Sequence, residues 1–322
     1  MNERPSLCVS IDVESDMPRW VVEPETTLEN IKGVPRLQAL FDELGVRPTY
    51  LVTHPVAASP DCVEIFRPIL ESGRCEIGMH CHPWTTPPVA DEERLKASFL
   101  SNMAPSTVQQ KLATVTEKIR EAFDVQPVSY RAGRFGLAPS HLWILEDLGY
   151  RVDTSVTPLV SWVVEGGPDY RDAPLMPYHP SYLDVTRDGN AKLLEVPVTV
   201  SLTRLVPKWA RWAYVRVPRV TRIRGLLSRD RLGLLDVVWA YPAEFTAEEM
   251  IQAGEMAERA GAPVVNVFMH SNEIWPGQSP YCKSESDLEA YLARLRSFLE
   301  ELVVTRGFIP HTLAEFDEER RA

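Results

Sequence analysis

Leu7-Cys8-Val9-Ser10-Ile11-Asp12-Val13-Glu14 is the stretch on which the reading of this chain turns. An apolar run of strand-favouring residues climbs to Ile11 and then meets two acids at i, i+2. In a strand those positions share a face, so Asp12 and Glu14 project together. Two carboxylates at the end of an apolar strand are costly unless a metal or a basic partner compensates them. On this stretch alone, a strand running into a solvated acidic loop is an equally good reading.

Working outward, strand and helix signals alternate. A helical pattern over 27–44 ends at Gly45, where helices commonly stop. Strands are expected at 48–53, 75–80, 128–130, 151–153, 193–202 and 263–269. Helices are expected at 62–71, 106–123, 139–148, 246–260 and 284–304, with a short tail at 308–316. The Pro-, Tyr- and Asp-rich stretch 158–190 reads as a long loop or insertion, and 203–235 as a second insertion in one catalytic domain spanning 1–322. Such alternation implies an α/β fold with a mainly parallel sheet, either a barrel or an open doubly wound sheet. Both place active groups at the C-terminal ends of the strands. There the chain carries Asp12, Glu14, His80, His82, Arg131, Asp153 and His270.

Composition bounds the class. The 322 residues have 44% hydrophobic and 25% charged residues, enough for a core without disulfide staples. The five cysteines are scattered and form no CxxC pair, so neither a zinc ribbon nor a disulfide framework is indicated. No run approaches the roughly 20 apolar residues of a membrane span. The N-terminal Met-Asn-Glu-Arg-Pro lacks an apolar leader segment, and a cytoplasmic protein with reduced thiols is expected. A net charge of −11 argues against nucleic-acid binding.

Three constellations carry chemistry. His80-Cys81-His82 follows a strand, so the two imidazoles can share a face while Cys81 packs on the other. Two His with one or two carboxylates make a zinc site with an open position. Nickel, cobalt, manganese or iron also suit such donors. Pro83-Trp84 stiffens the adjoining loop. His270 ends the apolar run 264–269 and leads into a polar turn, which suits a general acid better than a core histidine. Glu273 is a possible partner for it, though it reads first as a loop hydrogen-bonder. Arg131 and Arg134 lie on the loop Tyr130-Arg131-Ala132-Gly133-Arg134-Phe135-Gly136, where an Arg can keep a carboxylate ionised and the glycines can present backbone N–H groups to an oxyanion.

With these motifs the chain resembles, from about Ser6 to about Phe316, the polysaccharide deacetylase (NodB-homology) family of metal-dependent amidohydrolases. The resemblance implies a distorted (β/α)7 barrel. It matches Asp12 to the catalytic base, Glu14 to the metal-binding acid, His80 and His82 to the metal histidines, Arg131 to the residue that orients Asp12, and His270 to the acid. Two departures stand out: His-x-His replaces the usual His-x-x-x-His, a form similar to a subgroup linked to bacterial surface polysaccharides, and Arg131-Ala132-Gly133 replaces Arg-x-Pro. Asp153 is the nearest match to the Asp that tunes the catalytic His. The implied reaction is hydrolysis of an N-acetyl group on an amino sugar, with a divalent metal, zinc first among them. The alternatives are a formamide or ureide substrate and a non-catalytic sugar-binding protein.

Residues 204–231 stand apart. They carry Arg204, Lys208, Arg211, Arg216, Arg219, Arg222, Arg224, Arg229 and Arg231 against the single acid Asp230, with Trp209, Trp212 and Tyr214 interleaved. The segment reads as a helical insertion with a solvated charged face, or as a site for a membrane surface or a lipid- or nucleotide-linked sugar.

Overall fold

The computed structural model describes residues 4–22, 26–89, 98–217 and 235–321. The opening stretch forms β1 (Ser6–Val13), buried along its whole length as a central parallel strand must be. The other strands are β2 (Thr49–Val52), β3 (Glu76–Cys81), β4 (Ser129–Ala132), β5 (Val152–Asp153), β6 (Pro180–Ser181), β7 (Asp184–Asp188), β8 (Leu194–Glu195), β9 (Val200–Leu202), β10 (Val237–Trp239), β11 (Val264–His270) and β12 (Ile309–Pro310). The main sheet runs β11-β1-β2-β3-β4-β5-β8, with β12 also on β1. Every pairing in it is parallel. Helices cover its outer face, among them Val34–Glu43, Pro60–Glu71, Pro105–Phe123 and Glu285–Glu300. This is the distorted (β/α)7 barrel expected above.

The register explains the site. Asp12 lies opposite His270 on one side of β1 and Leu51 on the other. His80 lies opposite Arg131. Directly opposed residues of neighbouring strands point to the same face, so Asp12 with His270, and His80 with Arg131, all turn into the barrel at its C-terminal end.

Three expectations shift. The strand over 193–202 splits into β8 and β9, because Pro197 lies between them and has no N–H for a ladder. The chain then leaves the sheet, and β9 pairs antiparallel with β10 as a separate ribbon. Barrel closure falls to isolated hydrogen bonds: Thr199 N–H donates to Asn266 O at 3.0 Å, Asn266 N–H to Thr199 Oγ1 at 2.8 Å, and Phe268 N–H to Ala240 O at 3.0 Å. The helix over 27–44 opens as a 3-10 turn, Glu29–Gly33. Its first amides are captured by Asp16, whose carboxylate accepts from Glu29 N–H and Asn30 N–H. The insertion 158–190 holds the antiparallel pair β6–β7. Of the basic segment, 208–216 is a helix, and 218–231 lies outside the described residues.

Candidate active site

Arg131 is the largest fully buried side chain among the described residues. Its Nε donates to Thr154 O at 2.9 Å, and Nη2 donates to Ser10 Oγ at 2.5 Å and Thr154 Oγ1 at 3.1 Å. The guanidinium lies 5.0 Å from the centre of the Phe268 ring. What remains, Nη1, donates to Asp12 Oδ1 at 2.7 Å. Asp12 is thus gripped by one oxygen, and Oδ2 is left 3.6 Å from His80 Nε2. A buried pair of this kind holds only because each further polar atom of the arginine is satisfied.

Glu14, His80 and His82 bring one donor atom each to within 4.8 Å of one another, all buried. The two Nε2 atoms are 2.9 Å apart, and Glu14 Oε2 lies 3.1 Å from His82 Nε2 and 3.7 Å from His80 Nε2. His80 Nδ1 is 3.0 Å from Arg131 O, and a carbonyl can only accept. The proton therefore sits on Nδ1, and Nε2 offers its lone pair to the centre of the cluster. Burial, with the positive charge of Arg131 behind it, holds His80 well below the usual imidazole range. Burial does the same to His82, reinforced by His80. Neutral imidazoles are the form a metal takes. Glu14 is pushed up to about 8, by burial first, with Asp12 and Glu273 adding to it and His270 and a hydrogen bond from Asn272 opposing it. That hydrogen bond, Asn272 Nδ2 to Glu14 Oε1 at 2.9 Å, turns the other oxygen toward the histidines. A buried carboxylate so short of positive charge, beside two imidazole lone pairs, fits a divalent cation. Cys81 faces away, with Sγ 3.6 Å from Thr86 Oγ1.

The loop after β3 is tied down from below. Lys111, fully buried, donates from Nζ to the carbonyls of Pro83, Thr86 and Pro88. The Trp84 indole stacks on His82 at 4.1 Å and 23°. Opposite lies Gly133. A Cβ there would come within 2.5 Å of both Cys81 O and the His82 ring. This accounts for glycine at that position: His82 occupies the room that a side chain would need. Gly133→Ala is expected to displace His82 and weaken metal binding at least about 10-fold, with Asp12 and Arg131 left in place; chelator competition measures it. Of the backbone N–H groups expected to be open on this loop, that of Gly136 is committed to Gly133 O at 3.1 Å.

His270 finds its partner in Glu273, which the sequence ranks behind a loop role. Its Nδ1 is 2.6 Å from Glu273 Oε1, and its own N–H donates to Glu273 Oε2 at 3.2 Å. Tyr241 Oη donates to Oε1 at 2.7 Å and Tyr291 Oη to Oε2 at 2.8 Å, so the carboxylate is fixed at both oxygens. Burial, the largest influence, pushes His270 down. The Glu273 charge and hydrogen bond, then Glu14 and Asp12, outweigh it and lift the imidazole to about 9. Asp153 is therefore not the acid that tunes His270. It faces Glu195 across β5 and β8. Burial raises both carboxyls, Glu195 further. Ser155 Oγ donates to Asp153 Oδ1 and Val156 N–H to Glu195 Oε1, while Asp153 Oδ2 and Glu195 Oε2 lack a donor. One shared proton satisfies both.

Asp12, Glu14, His80, His82 and His270 open into a cavity of about 590 Å³. Its wall is aromatic, with Trp20, Trp84, Phe135, Trp162, Trp239 and Tyr241. The insertion at 158–190 supplies Trp162, stacked on Phe135 at 5.6 Å. Trp20, Arg134 and Phe135 hold positive φ at 55°, 54° and 60°. Such strain in non-glycine residues gathers where surrounding structure enforces a site. Neither the tyrosine clamp on Glu273 nor Asn272 was foreseen. The signal for Glu273 was present as His270-x-x-Glu273, the spacing of a capping box with His in the cap position. The tyrosines come from elements remote in sequence and left no signal.

Compared by sequence, the chain matches no protein-family model and no curated protein. Compared by structure, it is similar over 99% of its length to a Parabacteroides distasonis protein assigned as a glycoside hydrolase/deacetylase, covering 72% of that chain at 15% identity and a TM-score of 0.65. Over 100% of its length it is similar to a Mycobacterium smegmatis protein assigned as a polysaccharide deacetylase, covering 92% of that chain at 19% identity and a TM-score of 0.59. A Thermococcus litoralis 4-alpha-glucanotransferase also shares the architecture, with 98% of this chain on 40% of that one, 13% identity and a TM-score of 0.55. One fold thus hosts distinct chemistries, and the function rests on the site. At these identities the likeness establishes architecture, and the chain is built on the barrel of the polysaccharide deacetylases.

Proposed function

We propose that this protein is a metal-dependent deacetylase of an N-acetylated amino sugar. The observation that carries the reading is the division of labour among buried groups at one strand-end site. Three donors converge, a second carboxylate is held by a buried arginine, and a histidine paired with its own carboxylate faces the same cavity. Glu14, His80 and His82 would hold the cation, zinc or another divalent metal. Bound there, it would polarise the acetamide carbonyl and acidify water.

The chain's own residues do the rest. Arg131 fixes Asp12 through Oδ1, which leaves Oδ2 to accept the proton of the attacking water. Glu273 holds His270 by Nδ1, so the opposite nitrogen, Nε2, delivers its proton to the departing amine. Without that proton the amine anion is a very poor leaving group. The indole and phenyl walls suit the apolar faces of sugar rings and exclude water from the reacting carbonyl. The products would be acetate and a free amino sugar, whose carrier is a lipid or nucleotide pyrophosphate in this proposal.

Acetate release from free and nucleotide-linked N-acetylhexosamines by metal-loaded protein tests the reading. A metal-loaded protein that turns over formamido or ureido analogues but no acetamido sugar would redirect it. The paired His270 makes a further prediction. As a general acid it must be protonated, so kcat/KM falls as pH rises through about 9. Glu273→Gln removes the charge that raises it. The basic limb should then move down by about 1 pH unit or more, with the acidic limb unmoved; the pH–rate profile of the variant shows it.

A further inference from the structure

Many arginines of this acid-rich chain are ion-paired. Arg36 meets Glu285 and Glu289, Arg74 meets Asp42, Arg296 meets Glu43, and Arg306 meets Glu255. Arg204, Lys208 and Arg211 make no ion pair among the described residues, and they lie together in one short segment. Beside them lie three exposed large apolar side chains, Leu205 at 62%, Trp209 at 74% and Trp212 at 54%. The spacing orders them. Trp209 and Trp212 are three apart on the helix Lys208–Arg216, and Leu205 lies in the extended stretch just before it. Lys208 and Arg211 repeat that spacing one residue back, with Arg204 before them. An apolar stripe and a cationic stripe thus run side by side. Lys208, Trp209, Arg211 and Trp212 border a shallow cleft of about 320 Å³, and Arg204, Leu205 and Arg211 edge an apolar pocket next to it.

We propose that residues 204–216 dock the protein on an anionic lipid bilayer. Indoles are amphipathic and settle at headgroup depth, where cations beside them meet lipid phosphates. The net charge of −11 repels the rest of the molecule from such a surface, so this patch sets the orientation. A second copy fits poorly, because a twofold contact would press one cationic stripe on another. The β9–β10 ribbon links the two regions. Leu202 of β9 edges the apolar pocket, and Trp239 of β10 lines the catalytic cavity. The surface is independent of the deacetylase reading.

Co-sedimentation of the intact protein with phosphatidylcholine vesicles, with and without about one-third phosphatidylglycerol, tests this at low salt. Binding is expected to the anionic vesicles only, and to weaken at least about 10-fold as salt rises to about 0.5 M. Trp209→Ala/Trp212→Ala and Lys208→Glu/Arg211→Glu should each lose at least about 10-fold in binding. Trp143→Ala, at an exposed indole elsewhere, should bind as the unchanged protein does. All variants should keep the wild-type melting temperature and whatever activity the parent shows on a soluble substrate, which separates this surface from the catalytic site. No binding to anionic vesicles at low salt, equal binding to neutral ones, or wild-type binding by the patch variants overturns the proposal. So does a dimer in sedimentation velocity that Trp209→Ala/Trp212→Ala dissolves.

Discussion

Asp12→Asn is expected to keep its metal and lose turnover by about 10²- to 10⁴-fold, the range for removing a positioned general base. The three converging donors, Glu14, His80 and His82, do not include it. The amide can still accept from Arg131 Nη1 through its oxygen, so the buried guanidinium keeps a partner and the fold survives. What is lost is the basicity of Oδ2. Metal content of the purified variant and kcat on the same acetamido substrate check the two halves together. An Asp12→Asn protein with full activity would remove Asp12 from the role of base. One that had lost its metal would make it a ligand instead.

Glu14→Gln should fail in the opposite way, losing metal affinity by more than about 100-fold and activity with it. Its effect on the metal-free protein should have the reverse sign. In wild type the buried carboxyl is raised from an ordinary 4.5 to about 8, so the folded state binds a proton that the unfolded chain releases between those values. Stability of the chelated protein therefore falls as pH climbs from 4.5 to 8. The glutamine has no charge to bury and escapes that loss. In chelator at pH 8 or above, Glu14→Gln should melt above wild type; with metal added, wild type should melt above the variant. Thermal melts of both proteins in chelator and in excess zinc, across that pH range, decide it. A variant that is less stable in both conditions would count against Glu14 as the acid a cation compensates.

Much of this site was legible because the chemistry sits at strand ends, where an apolar run breaks off into a polar residue. Asp12, His80, Arg131 and His270 each follow such a run. The strand register then brings Asp12 opposite His270 and His80 opposite Arg131. What misled was order along the chain without register across it. Asp153 also ends a strand, but its neighbour is Glu195, and the two carboxyls satisfy each other. Glu273 was ranked first as a loop residue and only second as a partner, yet the loop is a 3-10 turn in which positions three apart stack. Tyr241 and Tyr291 depend on tertiary packing alone and were out of reach. Pro197, by contrast, was visible in the sequence and should have divided the strand expected across it.

The barrel is closed between β8 and β11 without a regular ladder, and side chains take over that task. Asn266 joins Ser10, Thr154 and the carbonyl of Val196 across the interior, and Arg131 enters the same network through Ser10 and Thr154. The clasp of the barrel and the floor of the site are one set of residues. The aromatic rim is separate, drawn partly from the insertion at 158–190 and the ribbon β9–β10. Lineages descending from such a protein can therefore vary the rim and drift in what they accept, while any change to the floor loosens the whole molecule. Selection for foldedness alone would preserve Arg131 and its partners, though not Asp12 or Glu14, long after selection for a given substrate had lapsed.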